Sequence, residues 1–329
     1  MPKHHLSNGT FRNNSKLINH HADLKSLVKW KLAFVRVKRQ YQPVLSPRLP
    51  VIDKRSNYTV WIGHSTFLIV RQGITMLTDP QFSDRASPSQ LAGPKRTTAP
   101  ALSIDQLPLI DIVVVSHDHY DHLDKNSVIK LCSKQKNNLP LFVVPLKVGR
   151  WLTKLGVHKW VELDWWESSV VKNLSFTAVP VQHFSGRGLV RNNTLWAGWV
   201  IESQNANTQG VSHKIFFAGD TGYSDDFVEI GKRFGAMDLS LIPIGAYEPQ
   251  WFMREMHVNP EEAVKIHLDV NSKFSIGMHW GSFILTDEPM DEPPRKLEEA
   301  KIKYGLMQHE FISVKHGEVV FFDNQARTL

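Results

Sequence analysis

The chain has 329 residues, 42% of them hydrophobic and 22% charged, a balance that excludes disordered, collagen-like and coiled-coil chains. No window approaches the roughly 18 uncharged apolar residues of a spanning helix, and a single cysteine, Cys132, excludes an intramolecular disulfide and any cysteine-built metal site. The formal net charge of +7 is local: residues 1–50 hold ten Lys/Arg against one acid, Asp23, whereas residues 51–329 hold 29 bases against 31 acids.

Residues 1–50 therefore read as a basic N-terminal arm and linker, partly disordered or membrane-facing, and residues 51–329 as a nearly neutral main domain. Polar residues 1–22 carry little apolar content, so a solvated tail is expected there, His4–His5 and His20–His21 included. Residues 24–39 interleave apolar and basic side chains, as in a membrane-surface element or an ordinary segment docked on the core. An arm of this charge attracts anionic partners. No apolar segment of a secretory signal follows it, so the expected location is cytoplasmic, with peripheral membrane contact. Pro43, Pro47 and Pro50 then punctuate a linker.

Beyond the linker, short apolar runs predict strands at 58–62, 67–70, 74–78, 111–115, 141–144, 174–179, 195–201, 214–218, 239–242, 274–278 and 319–322. Several are continuous rather than alternating, as in strands buried on both faces. Helical patterns fall between them at 125–135, 224–233, 260–268 and 293–303. The third opens on Asn259-Pro260-Glu261-Glu262, a cap residue followed by proline and acids in the first turn. Strands alternating with helices give a layered α/β domain.

The stretch Ser116-His117-Asp118-His119-Tyr120-Asp121-His122 leaves one of these strands and precedes a helix. Side chains alternate along extended chain, so His117 and His119 point the same way, with Asp121 and His122 on the following turn. Imidazole and carboxylate without thiolate suit a pair of divalent ions, zinc first. Further ligand-type residues stand at the ends of later strands: His183 in VPVQHF, Asp220 in Gly219-Asp220-Thr221-Gly222 and His279 in MHWGS. The open end of an α/β sheet is where function is placed.

These motifs resemble the metallo-β-lactamase superfamily of hydrolases. Longer runs, among them TDPQFSDRASPSQLAGPKR, FFAGDTGYSDDFVEIGKRFG, IPIGAYEPQWFM and HVNPEEAVKIH, resemble its branch of N-acylphosphatidylethanolamine-hydrolysing phospholipases D, over about residues 58–320. The resemblance implies an αββα sandwich. It implies two zinc ions per chain, one held by His117, His119 and His183, the other by Asp121, His122 and His279, with Asp220 bridging. Asp79 would orient a metal-bound imidazole, and His64 is a second outer candidate. His257 would face the substrate head group, with Asp121 and His257 as catalytic residues. The implied reaction is attack of a metal-bridged hydroxide on phosphorus, giving an N-acylethanolamine and phosphatidate. The implied partners are a membrane phospholipid and, as in the resembling enzymes, a second copy in a homodimer. Met256 stands where the branch carries a glutamine, and Ser185-Gly186-Arg187-Gly188 replaces a bulkier stretch. Alternatives on the same site are a lactonase or other small phosphodiesterase and, more remotely, a nuclease. Nucleic acid is disfavoured because the basic excess is confined to the arm.

Overall fold

The structure, a computed structural model, describes residues 2–15, 29–30, 41–188, 190–203 and 213–322. Apart from Lys29 and Trp30, the basic-apolar stretch 24–39 lies outside the described residues. In chain order the strands are β1 (Asn57–Gly63), β2 (Thr66–Arg71), β3 (Ile74–Thr78), β4 (Ile112–Val114), β5 (Leu141–Pro145), β6 (Trp160–Leu163), β7 (Ser168–Val171), β8 (Leu174–Val179), β9 (Gly186–Arg187), β10 (Val190–Arg191), β11 (Gly198–Ser203), β12 (His213–Phe217), β13 (Leu239–Pro243), β14 (Ser275–Met278), β15 (Phe311–Ser313) and β16 (Val319–Phe321). The helices are α1 (Lys125–Lys134), α2 (Gly149–Lys154), α3 (Asp226–Phe234), α4 (Gln250–Met253), α5 (Pro260–Asp269) and α6 (Glu292–Tyr304).

Fourteen of these strands form two seven-stranded sheets, ordered β16-β1-β2-β3-β4-β5-β6 and β15-β14-β13-β12-β11-β8-β7, and β9 and β10 pair as a separate hairpin. The continuous apolar runs are explained by where their two faces go. Trp61, Phe67, Ile69, Met76, Ile112 and Val114 join the core between the sheets. Their alternating neighbours Val60, Leu68, Val70, Leu77 and Val113 join a second core on the far side, with Val128 and Leu131 of α1. On the other sheet, Phe227 of α3, Val264 of α5 and Leu297 of α6 close the outer face. The layering is helix, sheet, sheet, helix, the αββα sandwich that the sequence implied.

The predicted helices and the longer strands form within a few residues of their expected bounds. The helix α5 has the predicted cap: Asn259 Oδ1 accepts from the Glu262 N–H at 2.8 Å. Short elements went unread. The strands β6 and β7 lack a long apolar run, and α2 and α4 are too short for a helical period to show.

Residues 2–15 overturn the expectation of a solvated tail. His5 bridges Phe11 in an antiparallel pair, and Phe11 is 2% exposed in the core between the sheets. His4 and His5 each donate through Nε2 to Asp164, at 2.7 and 2.8 Å. One buried aromatic ring and one ion-pairing carboxylate are enough to anchor a polar stretch whose composition suggests none of this.

Candidate metal centre

Site residues cluster where strands run out. The strand β4 ends at Val114. Two residues on, Ser116 donates from its N–H to Asp79 Oδ1 at 2.7 Å and from its hydroxyl to Asp79 Oδ2 at 2.6 Å. The chain then turns tightly, with the N–H groups of His122 and Leu123 both donating to the His119 carbonyl. Asp124 closes the loop by capping α1, accepting from the Ser127 N–H at 2.9 Å. The β9 hairpin holds this loop from outside: Arg187 Nε donates to the Asp118 carbonyl at 2.6 Å, its guanidinium also reaches the Leu123 carbonyl, and the Gly186 N–H donates to Asp118 Oδ1 at 2.8 Å. His64, Asp79 and His279 all adopt positive φ, 54°, 32° and 64°, backbone states that cost about 1–3 kcal/mol each and persist where surroundings over-determine them. Gly219 is required beside Asp220: a Cβ there would lie 2.5 Å from Ser116 Cβ.

The sequence-predicted residues converge. His117 Nε2 lies 2.8 Å from His119 Nδ1, and His183 Nε2 3.3 Å from the same atom. Asp121, His122, His279 and His64 form a second group. Asp220 lies between the two, with Oδ2 3.0 Å from His122 Nε2, 4.0 Å from His117 Nε2 and 3.9 Å from His183 Nε2, and Oδ1 3.1 Å from His279 Nε2. Asp79 Oδ2 accepts from His122 Nδ1 at 2.6 Å. His64 Nε2 donates to Asp121 Oδ2 at 3.0 Å, which ties it to a carboxylate rather than leaving it in a loop. His257 Nδ1 lies 3.9 Å from Asp220 Oδ2.

The outer hydrogen bonds decide which nitrogens carry protons. Asp79 takes the Nδ1–H of His122, the Met256 carbonyl takes that of His183 at 2.9 Å, and Ser116 Oγ, whose own proton goes to Asp79, takes that of His117 at 2.9 Å. Each of the three Nε2 atoms is then left with a lone pair directed at other acceptors. His122 Nε2, His279 Nε2 and Asp220 Oδ1 are buried and make no aligned hydrogen bond despite their proximity. Imidazoles and carboxylates buried this closely without aligned partners call for positive charge among them, supplied by divalent cations or, in their place, by protons. The donor set, imidazole nitrogens with two carboxylates, fits divalent zinc.

Electrostatics sort the residues in the same way. Burial, reinforced by neighbouring imidazoles, holds His117 well below the ordinary histidine range, and burial does the same for His183. Burial alone would raise Asp121 and Asp220, but the adjacent histidines outweigh it and hold both well below the usual carboxylate range. Burial opposes charge on His279, yet Asp220 and Asp121 lift it to about 9. Against its burial, the same two carboxylates raise His122 well above the ordinary histidine range, so without a cation the cluster draws protons onto His122 and His279.

Above the cluster lies a cavity of about 330 Å³. His119, Asp121, Asp220 and His257 line it together with an apolar wall of Trp30, Phe184, Phe252, Met253, Met256 and Leu285. Arg191 also borders it, its guanidinium 5.2 Å from the Phe184 ring centroid. Sequence reasoning missed the roles of Ser116, the Met256 carbonyl, Arg187 and Trp30. Ser116 was within reach, adjoining the motif. A main-chain carbonyl leaves no residue-type signal, and the other two act across long sequence separations.

Residues 75–280 match the family model described as a beta-lactamase superfamily domain. The chain is 45% identical over 260 residues to an uncharacterised protein of Mycobacterium tuberculosis, covering 78% of this chain and 67% of that one. It is 40% identical over 275 residues to N-acyl-phosphatidylethanolamine-hydrolyzing phospholipase D 1 of Caenorhabditis elegans, covering 80% and 75%. A mitochondrial enzyme of the same activity name from Saccharomyces cerevisiae is 39% identical, with about half its length (51%) covered against 73% of this chain. Among solved structures, Igni18, a metallo hydrolase of Ignicoccus hospitalis, aligns with a TM-score of 0.60 over 82% of this chain and 99% of that one, at 18% identity. An isothiocyanate hydrolase from Delia radicum gut bacteria aligns at 0.61 over 81% and 99%, at 16% identity.

Proposed function

Because this chain belongs to the metallo-β-lactamase superfamily and is a metal-dependent hydrolase, we propose that it is a dinuclear zinc phosphodiesterase. Its substrate in this reading is an N-acylphosphatidylethanolamine, cleaved to an N-acylethanolamine and phosphatidate. The observation that carries the reading is the convergence of seven imidazole and carboxylate residues, with buried atoms of His122, Asp220 and His279 left without an aligned partner, beside a cavity with one apolar wall. The names of the nematode and yeast relatives supply the substrate class.

His117, His119 and His183 would hold one ion, Asp121, His122 and His279 the other, and Asp220 would face both. When bound, such ions supply Lewis-acid charge to the oxygens of an anionic phosphodiester and acidify water at neutral pH. The chain's own groups do the rest. Asp79 and Ser116 fix the imidazole tautomers, so the ligating nitrogens are aimed before any ion or substrate arrives. His257, bordering the cavity beside Asp220, is placed to hydrogen-bond a phosphate oxygen or the leaving alkoxide. Arg191 offers a fixed cation at the cavity edge for the same phosphate. The apolar wall from Trp30 to Leu285 receives hydrocarbon and excludes water from the reacting centre.

A diacyl substrate stays in the bilayer, so the enzyme must work at a membrane surface. None of the helices among the described residues is long and apolar enough to cross one, and peripheral contact through the basic arm, from a cytoplasmic location, meets the requirement. Trp251, 54% exposed with Lys29 Nζ 4.8 Å from its ring centroid, adjoins the wall residue Phe252, a pairing suited to a lipid-water boundary.

Product analysis by mass spectrometry tests the reaction. A defined N-acylphosphatidylethanolamine should yield N-acylethanolamine and phosphatidate, a matched phosphatidylcholine much less, and chelator should stop both. Lactone turnover without phospholipid turnover would replace the substrate assignment, and turnover insensitive to metal removal would overturn the site.

A further inference from the structure

We propose that Asn13 is a positioning residue for His183, held in place by an N-terminal strap that the rest of the domain clasps at His4 and His5. The proposal rests on the reading of His183 as a metal ligand.

His183 lies beyond the end of β8, where the ladder that orders the strand has run out. Gln182 still pairs: its carbonyl accepts from the Gly222 N–H at 2.7 Å, and its N–H donates to Thr221 Oγ1 at 2.9 Å. In extended chain the next residue turns its N–H and C=O to the opposite edge. Among the described residues no strand lies there. Asn13 takes its place, with Nδ2 donating to the His183 carbonyl at 2.9 Å and Oδ1 accepting from the His183 N–H at 3.1 Å. One side-chain amide thus reproduces both hydrogen bonds of a neighbouring strand, at the one residue whose imidazole must point into the cluster. The ring is fixed separately by the Met256 carbonyl. Main chain and ring are both pinned, and only Nε2 is left free to ligate.

The amide is itself fixed from behind. Asn13 Oδ1 also accepts from Trp196 Nε1 at 3.2 Å, and the Trp196 carbonyl accepts from Trp165 Nε1 at 2.7 Å. The His4 ring packs 4.3 Å from the ring of Trp165, and the Trp165 main-chain N–H donates to Asp164 Oδ1, the same oxygen that holds His4. His5 takes the other oxygen. A continuous chain of buried and part-buried contacts therefore runs from the clasp to His183. Phe11, seated in the core two residues before Asn13, with its N–H donating to the Asn192 carbonyl at 2.9 Å, fixes the register of the strap.

Removing an outer partner of a metal ligand costs about 10–100-fold in metal affinity. The test uses the full chain loaded with zinc, with metal release to excess chelator followed by elemental analysis. Wild type should hold two ions. Asn13→Ala should release one of them about tenfold faster or more, and its cobalt-substituted form should show altered visible bands. A purely structural loss would instead lower the unfolding midpoint of the metal-free protein and leave both readouts alone. The double variant His4→Ala/His5→Ala should shift release in the same direction by less, and it decides the matter if Asn13→Ala does not fold. Release at the wild-type rate from a folded Asn13→Ala protein, or from the double variant where that protein does not fold, overturns the strap proposal alone. A wild-type chain that takes up no zinc overturns the reading of the site, and the strap's role with it.

Discussion

Two regions of this molecule gather imidazoles around a carboxylate, and they behave as opposites. At the clasp, His4 and His5 each meet one oxygen of Asp164 at 2.7 and 2.8 Å, and no fully buried side-chain polar atom of the three residues is left without a partner. At the candidate metal centre, buried nitrogens of His122 and His279 and an oxygen of Asp220 lie about as close but make no aligned hydrogen bond, and outer partners already hold the Nδ1 protons of His122 and His183. Clustering alone does not call for an ion. Fixed tautomers that leave lone pairs facing lone pairs do.

The largest expected effect breaks this comparison if it fails. His119→Ala or Asp121→Ala should lower kcat/KM by at least about a thousandfold with the far-UV circular dichroism of the fold retained, and each should lower the bound zinc measured by elemental analysis. His4→Ala/His5→Ala, at saturating zinc, should still bind two ions per chain. A third ion in wild type that vanishes in the double variant would make the clasp a metal site and erase the distinction.

A smaller effect sharpens the comparison by testing the outer hydrogen bonds alone. Asp79 is fully buried, receives the His122 Nδ1–H and two donors from Ser116, and touches nothing in the cavity. Asp79→Ala should weaken zinc binding about 10–100-fold, read by competition with a chromogenic chelator. Unchanged affinity would mean that the inward lone pairs are aimed by something other than tautomer control.

The candidate metal cluster was legible and the clasp was not, for a reason that lies in what each demands. Ligation restricts residue type, so His117, His119, Asp121 and His122 announce themselves within six positions, and His183, Asp220 and His279 do so by standing at strand ends. The layered α/β class was legible for a related reason, since continuous apolar strands require cover on both faces, and the αββα order of the layers came from the family resemblance. Anchoring a strap restricts almost nothing locally. His4, Phe11 and Asn13 acquire their roles from Asp164, the inter-sheet core and the His183 main chain, each far away in sequence. Composition averages over those positions and returns a solvated tail. His64 marks the boundary: a glycine-flanked histidine in a turn reads equally as a loop residue until its 3.0 Å contact with Asp121 is seen.

A single imidazole outside both regions isolates burial from clustering, and it carries the smallest predicted effect. His316 is fully buried, stacked on Trp61 at 4.2 Å, with Nε2 2.9 Å from Ser282 Oγ. Burial, helped by the Arg96 cation, lowers its pKa from 6.5 to about 3. The folded protein thus refuses a proton that the unfolded chain accepts. The resulting stability is fully present above pH 6.5 and is lost as pH falls from there toward 3, at up to about 1.4 kcal/mol per pH unit for one proton. Urea unfolding of the metal-free protein at pH 7.0 and 5.5 should show that His316→Gln, whatever its cost at neutral pH, loses less stability across the interval than wild type, by about one proton's slope. Other buried histidines titrate in both proteins and cancel in the difference. Equal slopes would mean that His316 takes up its proton without unfolding, and that burial by itself does not hold an imidazole neutral in this fold. The neutrality of His117 and His183 would then need a cause beyond burial, and a bound cation is the one their geometry offers.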